Sequence, residues 1–196
     1  MSNLATMLTE YDTVLFDLDG TLFSQIDYDY RVFTSFFKDH TIAMMLANFK
    51  ASLGYAHPNV FDLFAVQHSE IDFSVQELLS FYRTYLPDLS DLKTLSPLLS
   101  QLCEKRKILI SNGGEIKQWH KIRSLNLESF FETIIILDPH RNDLLKPSPQ
   151  SFLTLEPFPA KAVMVGDQES TDGVFASNCH IPFIFFQFPS DITSKE

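Results

Sequence analysis

Short runs of apolar residues recur along the chain with little polar alternation inside them. They lie at residues 13–16, 108–110, 133–137, 162–165 and 183–186. Runs of this kind are typical of strands in a parallel sheet that is covered on both faces. Segments with helical spacing lie between the later runs. The pattern therefore predicts an α/β fold with a doubly wound, Rossmann-like parallel sheet.

Residues 24–91 break this alternation. Apolar residues recur there at helical spacing in four segments, at about residues 31–37, 42–49, 60–66 and 75–85. Eight of the 19 phenylalanines fall in this stretch, which indicates packed core rather than a base-stacking surface. We expect a small helical unit at residues 24–91, inserted after the first strand of an α/β core formed by residues 1–23 and 92–196.

Charged and hydroxyl side chains follow the strand-like runs. The motifs are DLDGT at residues 17–21, SN at 111–112, KPSP at 146–149 and GDQESTD at 166–172. Doubly wound sheets bind ligands outside the carboxyl ends of their strands, which is where these motifs fall. Four aspartates, a serine and a lysine are thereby placed where they could surround one phosphoryl group.

In this order, the four motifs resemble those of the haloacid dehalogenase (HAD) superfamily, whose motifs are DxDGT, a Ser or Thr after the second strand, a Lys often followed by Pro, and GDxxxxD or a near variant. The resemblance covers the chain apart from roughly residues 24–91. It implies an enzyme, a phosphatase-like hydrolase, in which an α-helical insert of the type 1 cap class covers the active site.

In-line phosphoryl transfer needs a nucleophile, a proton donor and a cation that shields the two anions from each other. The Asp17 carboxylate is the candidate nucleophile, forming an aspartyl-phosphate. Asp19 is the candidate general acid and then general base toward water. Lys146 is expected to offset the charge of Asp17 and of the transferring group.

The resemblance also implies a phosphate pocket and a Mg²⁺ site. The Ser111 hydroxyl and the Asn112 amide are expected to donate hydrogen bonds to the phosphoryl oxygens, and Gly20 and Thr21 to act as backbone and capping groups nearby. Two aspartates are predicted to bind Mg²⁺ through their carboxylates, because a hard cation prefers oxygen ligands. The metal set is Asp17 and Asp167, with the backbone carbonyl of Asp19 and a weaker or water-mediated contribution from Asp172. An N-cap role for Asp172 on the last helix stays open.

Composition limits the partners. The formal charge of −10 argues against nucleic acid, because no basic block is present to displace counterions. No run of 18 apolar residues occurs and the start lacks the features of a signal peptide, so we expect neither a membrane span nor export. Cys103 and Cys179 are far apart and in no metal-ligand spacing, which predicts two buried thiols and a cytoplasmic location.

The central expectation is a Mg²⁺-dependent phosphatase that hydrolyses a small phosphorylated metabolite; the substrate and the oligomeric state are left open by the motifs. Dehalogenation is disfavoured, because Asp19 is present and an ester intermediate of that kind needs no acid for a phosphate leaving group. A sugar-phosphate mutase or another phosphotransferase of the same superfamily stays open. A non-catalytic HAD-like binding module is the remaining alternative, against which all four motifs argue.

Overall fold

The computed structural model describes residues 2–54, 57–141 and 143–191. These residues divide into two compact units. The first contains the residues up to Ser24 together with Leu89–Pro189, and the second contains Gln25–Asp88 together with Ser190 and Asp191. The second unit thus begins one residue later than the predicted insert and ends three residues earlier, and it gains a short C-terminal piece.

A five-stranded sheet forms the centre of the first unit. Its strands are β1 (Thr13–Phe16), β2 (Arg106–Asn112), β3 (Thr133–Leu137), β4 (Ala162–Gly166) and β5 (Phe183–Phe185), and their order is β3-β2-β1-β4-β5. All neighbouring pairs are parallel. The predicted α/β class with a Rossmann-like parallel sheet is therefore confirmed. β2 runs further than predicted, because Ser111 and Asn112 continue its pairing with β3.

Helices and helical turns connect these strands. With helices numbered in chain order over both units, the first unit contains α1 (Ser2–Met7), α6 (Ser96–Gln101), α7 (Glu115–Ser124), α8 (Gln150–Leu153) and α9 (Val174–Asn178). Shorter turns lie at Glu128–Phe130 and Pro139–Arg141, and a π-helical turn lies at Glu169–Gly173. α7 begins just after β2, so its first turns lie beside the carboxyl end of the sheet.

The core of the first unit lies against the sheet. Leu15, Ile108 and Met164 come from three adjacent strands and are completely buried. Phe152 from α8 and Phe175 from α9 pack in the same cluster. Burial of apolar surface on this scale is the main stabilising contribution to such a unit. It holds β1 at the centre of the sheet, and so fixes the segment that follows it.

The second unit is helical. It contains α2 (Gln25–Phe37), α3 (His40–Leu53), α4 (Val60–Gln67) and α5 (Val75–Thr84), which overlap the four predicted segments, although α2 begins six residues earlier than predicted. The Ser74 hydroxyl accepts a hydrogen bond from the Glu77 amide and so caps the start of α5. Asp27 accepts hydrogen bonds from the Ser190 hydroxyl and the Asp191 amide, which explains why these two residues belong to this unit.

The centre of the helical unit is partly aromatic and partly charged. The ring of Phe33 stacks on that of Tyr82 with 5.7 Å between the centroids. Beside them, the completely buried carboxylate of Asp29 accepts hydrogen bonds from Lys50 Nζ at 2.7 Å, Tyr82 at 2.7 Å and Gln25 at 3.1 Å. A buried ion pair of this kind needs such additional donors, because removing both charges from water is costly.

The cysteines are both free thiols. Cys179 is buried, as predicted, and its burial raises the pKa of the thiol to about 12. The prediction that Cys103 is buried was wrong: it is exposed, because α6 ends at Gln101 and the chain turns toward β2 at the surface. Within the described ranges, no helix is both long enough and apolar enough to cross a membrane.

Candidate active site

Asp17 follows the fully buried strand β1 and remains tied to the sheet. Its amide donates to the Val165 carbonyl of β4 at 2.9 Å. Its Oδ1 atom accepts a hydrogen bond from Lys146 Nζ at 2.5 Å, and the same ammonium lies 2.6 Å from Asp172 Oδ1. The Lys146 side chain is 1% exposed. The structure thus brings together three of the residues that the sequence places at separate motifs.

Asn112 holds the segment that carries this lysine. Its Nδ2 donates to the Lys146 carbonyl at 3.0 Å, and its Oδ1 accepts from the Lys146 amide at 2.9 Å. We expected the Asn112 amide to donate to the phosphoryl oxygens; in the structure its side chain contacts the backbone of Lys146, and the phosphate contact stays a prediction. The backbone of one residue offers an N–H donor and a C=O acceptor, and here these match the two ends of the side-chain amide.

Three carboxylates converge at the ends of β1 and β4. Oxygen atoms of Asp17, Asp167 and Asp172 all lie within 4.8 Å of one another, and all three residues are buried. Asp167 Oδ1 is buried without a hydrogen-bond partner in the part of the chain that the structure describes. Buried polar atoms are rarely left without a partner. Hard oxygen donors in this arrangement fit a Mg²⁺ ion, which takes carboxylate ligands and retains water.

Two glycines allow these carboxylates to approach the backbone. Gly20 has φ of +80°, and a Cβ atom there would lie 2.2 Å from Asp167 Oδ2. A Cβ atom on Gly166 would lie 2.3 Å from Asp172 Oδ2. Neither position can take a side chain without displacing a carboxylate, and Gly20 also needs the left-handed backbone that glycine tolerates.

The electrostatics of the cluster favour a bound cation. Burial raises the pKa of Asp17 to about 7, although the nearby Lys146 ammonium opposes this and the charges of Asp172 and Asp19 add to it. Burial, followed by the charges of Asp17 and Asp172, raises the pKa of Asp167 to about 8. A divalent cation would supply the positive charge that lets both groups ionise.

Asp19 has different partners from Asp17. Its Oδ1 pairs with Lys121 Nζ at 2.6 Å, and its Oδ2 accepts from Gln118 Nε2 at 2.7 Å. Burial alone would raise the pKa of Asp19, but the Lys121 ammonium and the two hydrogen bonds outweigh it, and the pKa is lowered. In this arrangement Asp19 is an ionised carboxylate at neutral pH.

Gln118 and Lys121 were missed by the sequence analysis. Both lie on α7, three residues apart and therefore on one face of the helix, and both are buried. Gln118 Nε2 also donates to Ser111 Oγ at 2.7 Å. The available signal was the position of this pair, seven and ten residues after Ser111 on the helix that follows the SN motif. A glutamine and a lysine on a helix otherwise look like a solvated face.

Gly20 and Thr21 lie in the loop that follows β1. Thr21 is completely buried, and its hydroxyl has no partner among the residues that the structure covers. The Gly20 carbonyl accepts a hydrogen bond from the Phe188 amide at 2.7 Å. The predicted phosphate contacts of Gly20, Thr21 and Ser111 stay predictions, as do the metal contacts of Asp17, Asp19, Asp167 and Asp172.

A buried sheet whose carboxyl edge carries this set of aspartates, a lysine and a serine is characteristic of one class of enzyme. The chain matches the family of haloacid dehalogenase-like hydrolases over residues 14–186. The protein therefore belongs to the haloacid dehalogenase-like hydrolases, and the resemblance inferred from the four motifs is confirmed.

Two curated relatives are similar in sequence. The chain is 30% identical to the pyrophosphatase PpaX of Bacillus pumilus over 170 residues, which are 80% of this chain and 74% of that protein. It is 37% identical to the glyceraldehyde 3-phosphate phosphatase of Pyrococcus furiosus over 84 residues. That match spans 41% of this chain and only 34% of the length of the relative.

Solved structures share the fold at lower identity. The protein YfnB of Bacillus subtilis, whose structure was solved bound to magnesium, superposes with a TM-score of 0.66 at 16% identity and covers 91% of this chain and 89% of its own. The L-2-haloacid dehalogenase of Xanthobacter autotrophicus superposes with a TM-score of 0.64 at 15% identity, with 95% of this chain and 84% of its own covered. At these identities the likeness concerns the fold.

Proposed function

We propose that this protein is a Mg²⁺-dependent phosphatase that hydrolyses a small phosphate monoester through an aspartyl-phosphate on Asp17. The observation that carries the proposal is the buried contact of Asp17 with Lys146, beside the carboxylates of Asp167 and Asp172. The names of the two curated relatives support a phosphoryl substrate.

Asp17, Asp167 and Asp172 would hold the metal, together with the backbone carbonyl of Asp19. When bound, Mg²⁺ supplies positive charge that screens Asp17 from the dianionic phosphoryl group and orients that group. The orphaned Asp167 Oδ1 supports this assignment, since a cation gives that atom the partner it lacks among the described residues.

In the first step, an Asp17 carboxylate oxygen bonds to phosphorus while the bond between phosphorus and the ester oxygen breaks. The leaving oxygen takes a proton from Asp19. In the second step, water attacks phosphorus and gives a proton to Asp19, and the bond between phosphorus and Asp17 breaks. Lys146 stays paired with Asp17 and stabilises the negative charge in both steps.

Asp19 needs different protonation states in the two steps. Its contacts with Lys121 and Gln118 favour the ionised form, which suits the attack of water. Donation to the leaving group requires a protonated carboxyl group, and that form loses the attraction to the Lys121 ammonium. We propose that the contact between Asp19 and Lys121 is released when Asp19 is protonated. Asp19 would then be paired with Lys121 in the step where water attacks, and unpaired in the step where the leaving group takes its proton.

We also propose that the helical unit is a cap that selects the substrate. Support comes from connectivity, because α2 begins at Gln25, four residues after the DLDGT motif. Replacing residues 25–88 by a short linker should impair hydrolysis of the natural substrate far more than hydrolysis of a small aryl ester. The two free cysteines support the cytoplasmic location that we propose.

The proposed function is tested by assaying the purified protein against p-nitrophenyl phosphate, phosphorylated metabolites and pyrophosphate. Phosphate release should require Mg²⁺, stop in excess chelator and fall by several orders of magnitude in Asp17→Asn, because this variant lacks the proposed nucleophile. Wild-type-like turnover in Asp17→Asn would contradict the proposal. So would conversion of a sugar phosphate into its isomer without phosphate release, which would indicate a mutase.

A further inference from the structure

The side chain of Gln118 links two groups that the proposed reaction uses separately. Its Nε2 atom donates to Asp19 Oδ2 at 2.7 Å and to Ser111 Oγ at 2.7 Å, with the Asn112 carbonyl further away at 3.4 Å. Its Oε1 atom accepts from Lys121 Nζ at 2.8 Å. One amide therefore contacts the candidate acid–base group, the candidate phosphate-binding hydroxyl and a lysine.

The partners fix the orientation of this amide. A carboxylate and a carbonyl can only accept hydrogen bonds, and an ammonium can only donate. The amide nitrogen must therefore face Asp19 and the Asn112 carbonyl, while the amide oxygen faces Lys121. The reverse orientation would place Oε1 against oxygen atoms and the NH₂ group against the ammonium.

This orientation has a consequence for Ser111. Because an NH₂ group donates and does not accept, Ser111 Oγ is the acceptor in its contact with Gln118. The single hydrogen of the hydroxyl then stays available for another acceptor, such as a phosphoryl oxygen. Ser111 is 1% exposed, so bulk water does not compete for it.

Packing holds the amide in place. Gln118 is 2% exposed and lies on α7, whose backbone is fixed just after β2. Gly113 approaches it closely, since a Cβ atom on Gly113 would lie 2.9 Å from Gln118 Cδ. A residue with a side chain at position 113 would therefore push the amide away from its partners.

We propose that Gln118 is a positioning residue that aligns Asp19 with the leaving group and directs the Ser111 hydroxyl hydrogen toward the phosphoryl group. Lys121 fixes the orientation of the Gln118 amide, in addition to its own ion pair with Asp19. The proposal rests on the proposed phosphatase function and adds to it two residues that none of the four motifs contains.

Gln118→Met tests this by removing the donors at similar side-chain length, with Gln101→Met on the exposed end of α6 as the matched control. With Asp19 misaligned, kcat/KM for an alkyl phosphate should fall about 100-fold, because the alkoxide leaving group depends on the acid. The value for p-nitrophenyl phosphate should fall only about tenfold, because that leaving group needs little protonation. Inhibition by inorganic phosphate should also weaken, because Ser111 no longer presents its hydrogen. Gln101→Met should match the wild type in all three measurements.

A double variant separates positioning from general loss of structure. In an Asp19→Asn background, Gln118→Met should no longer change the ratio of alkyl to aryl activity, because the aligned acid is already absent. Gln118→Glu provides a second single variant of nearly the same shape. Its carboxylate repels Asp19 and accepts the Ser111 hydrogen, so both substrates and phosphate inhibition should be impaired.

The proposal is overturned if both Gln118 variants keep the wild-type ratio of alkyl to aryl activity and the wild-type inhibition by phosphate. Equal losses on both substrates with unchanged phosphate inhibition would also overturn it, since that result indicates a structural role. An inactive wild-type protein would instead contradict the proposed function itself, so the two failures are distinguishable.

Discussion

Lys146 and Asp17 form an ion pair with 2.5 Å between Nζ and Oδ1, although 129 residues separate them in the chain. The lysine side chain is 1% exposed and the aspartate side chain 10% exposed. Asp172 makes a second ion pair with the same ammonium. A single cation thus compensates two buried carboxylates, so removing it should affect stability apart from its proposed role in catalysis.

Lys146→Met should leave Asp17 and Asp172 buried without their shared cation. Breaking a buried ion pair in this way typically costs about 3–5 kcal/mol, so the free energy of unfolding should fall by a similar amount in metal-free buffer. Chemical denaturation with and without Mg²⁺ measures this, and Mg²⁺ should restore part of the loss. Lys161→Met, at an exposed position, is the control and should change little. A Lys146→Met protein as stable as the wild type would show that the pair contributes nothing to the fold.

Gly20→Ala should weaken Mg²⁺ binding. The new Cβ atom would lie 2.2 Å from Asp167 Oδ2, and the backbone φ of +80° disfavours alanine by about 1–2 kcal/mol. The carboxylate must move, so the Mg²⁺ concentration for half-maximal activity should rise at least about tenfold. Gly114→Ala is the matched control, because nothing lies within 4 Å of its Cβ position. An unchanged Mg²⁺ requirement in Gly20→Ala would argue against Asp167 as a ligand.

Stabilisation by Mg²⁺ should increase with pH. The pKa of Asp17 is raised from 3.8 to about 7 and that of Asp167 from 3.8 to about 8 in the metal-free protein. Between the ordinary pKa of 3.8 and these raised values, the folded state binds more protons than the unfolded state. The two groups therefore make the free energy of unfolding fall as pH rises through this range. A metal requires the ionised forms and relieves this effect. Thermal midpoints measured with Mg²⁺ and with chelator should therefore differ more at about pH 8.5 than at about pH 6. A difference independent of pH would contradict the assignment.

The charged cluster of the helical unit should be needed for its folding. Lys50→Met leaves the completely buried carboxylate of Asp29 without its ammonium and should lower the free energy of unfolding by about 3–5 kcal/mol. Lys38→Met, at an exposed position of the same unit, serves as the control. Adding Asp29→Asn to Lys50→Met should recover part of the stability, because the unpaired charge is then absent. Failure of the double variant to recover any stability would show that packing, rather than charge, is responsible.

The fold and the main cluster could be predicted because their signals are local. Asp17, Ser111 and Asp167 each end or follow an apolar strand, and parallel strands bring such ends to one edge of the sheet. Lys146 was recognised by the proline that follows it. For the three residues at the strand ends, a short stretch of sequence contains both the chemical group and the element that positions it.

The role of α7 could not be predicted in the same way. Whether Gln118 and Lys121 face water or Asp19 depends on how the helix is rotated against the sheet, and that rotation is determined by long-range packing. The contact of Asn112 with the backbone of Lys146 was not predicted for a similar reason, because that partner lies 34 residues later. Side chains whose partners are distant backbone atoms or helix faces leave little trace in the local pattern.

Many contacts of the loop from Asp17 to Thr21 are made with later parts of the chain. Its side chains pair with α7 and Lys146, its glycine carbonyl accepts from the Phe188 amide, and β1 itself pairs with β2 and β4. Ribosomal synthesis proceeds from the N-terminus, and domains fold as their segments become available. The loop therefore emerges before any of its partners, and a nascent chain that ends before residue 188 lacks one of the bonds that shape it. The full set of bonds that shape this loop therefore requires nearly all of the described chain.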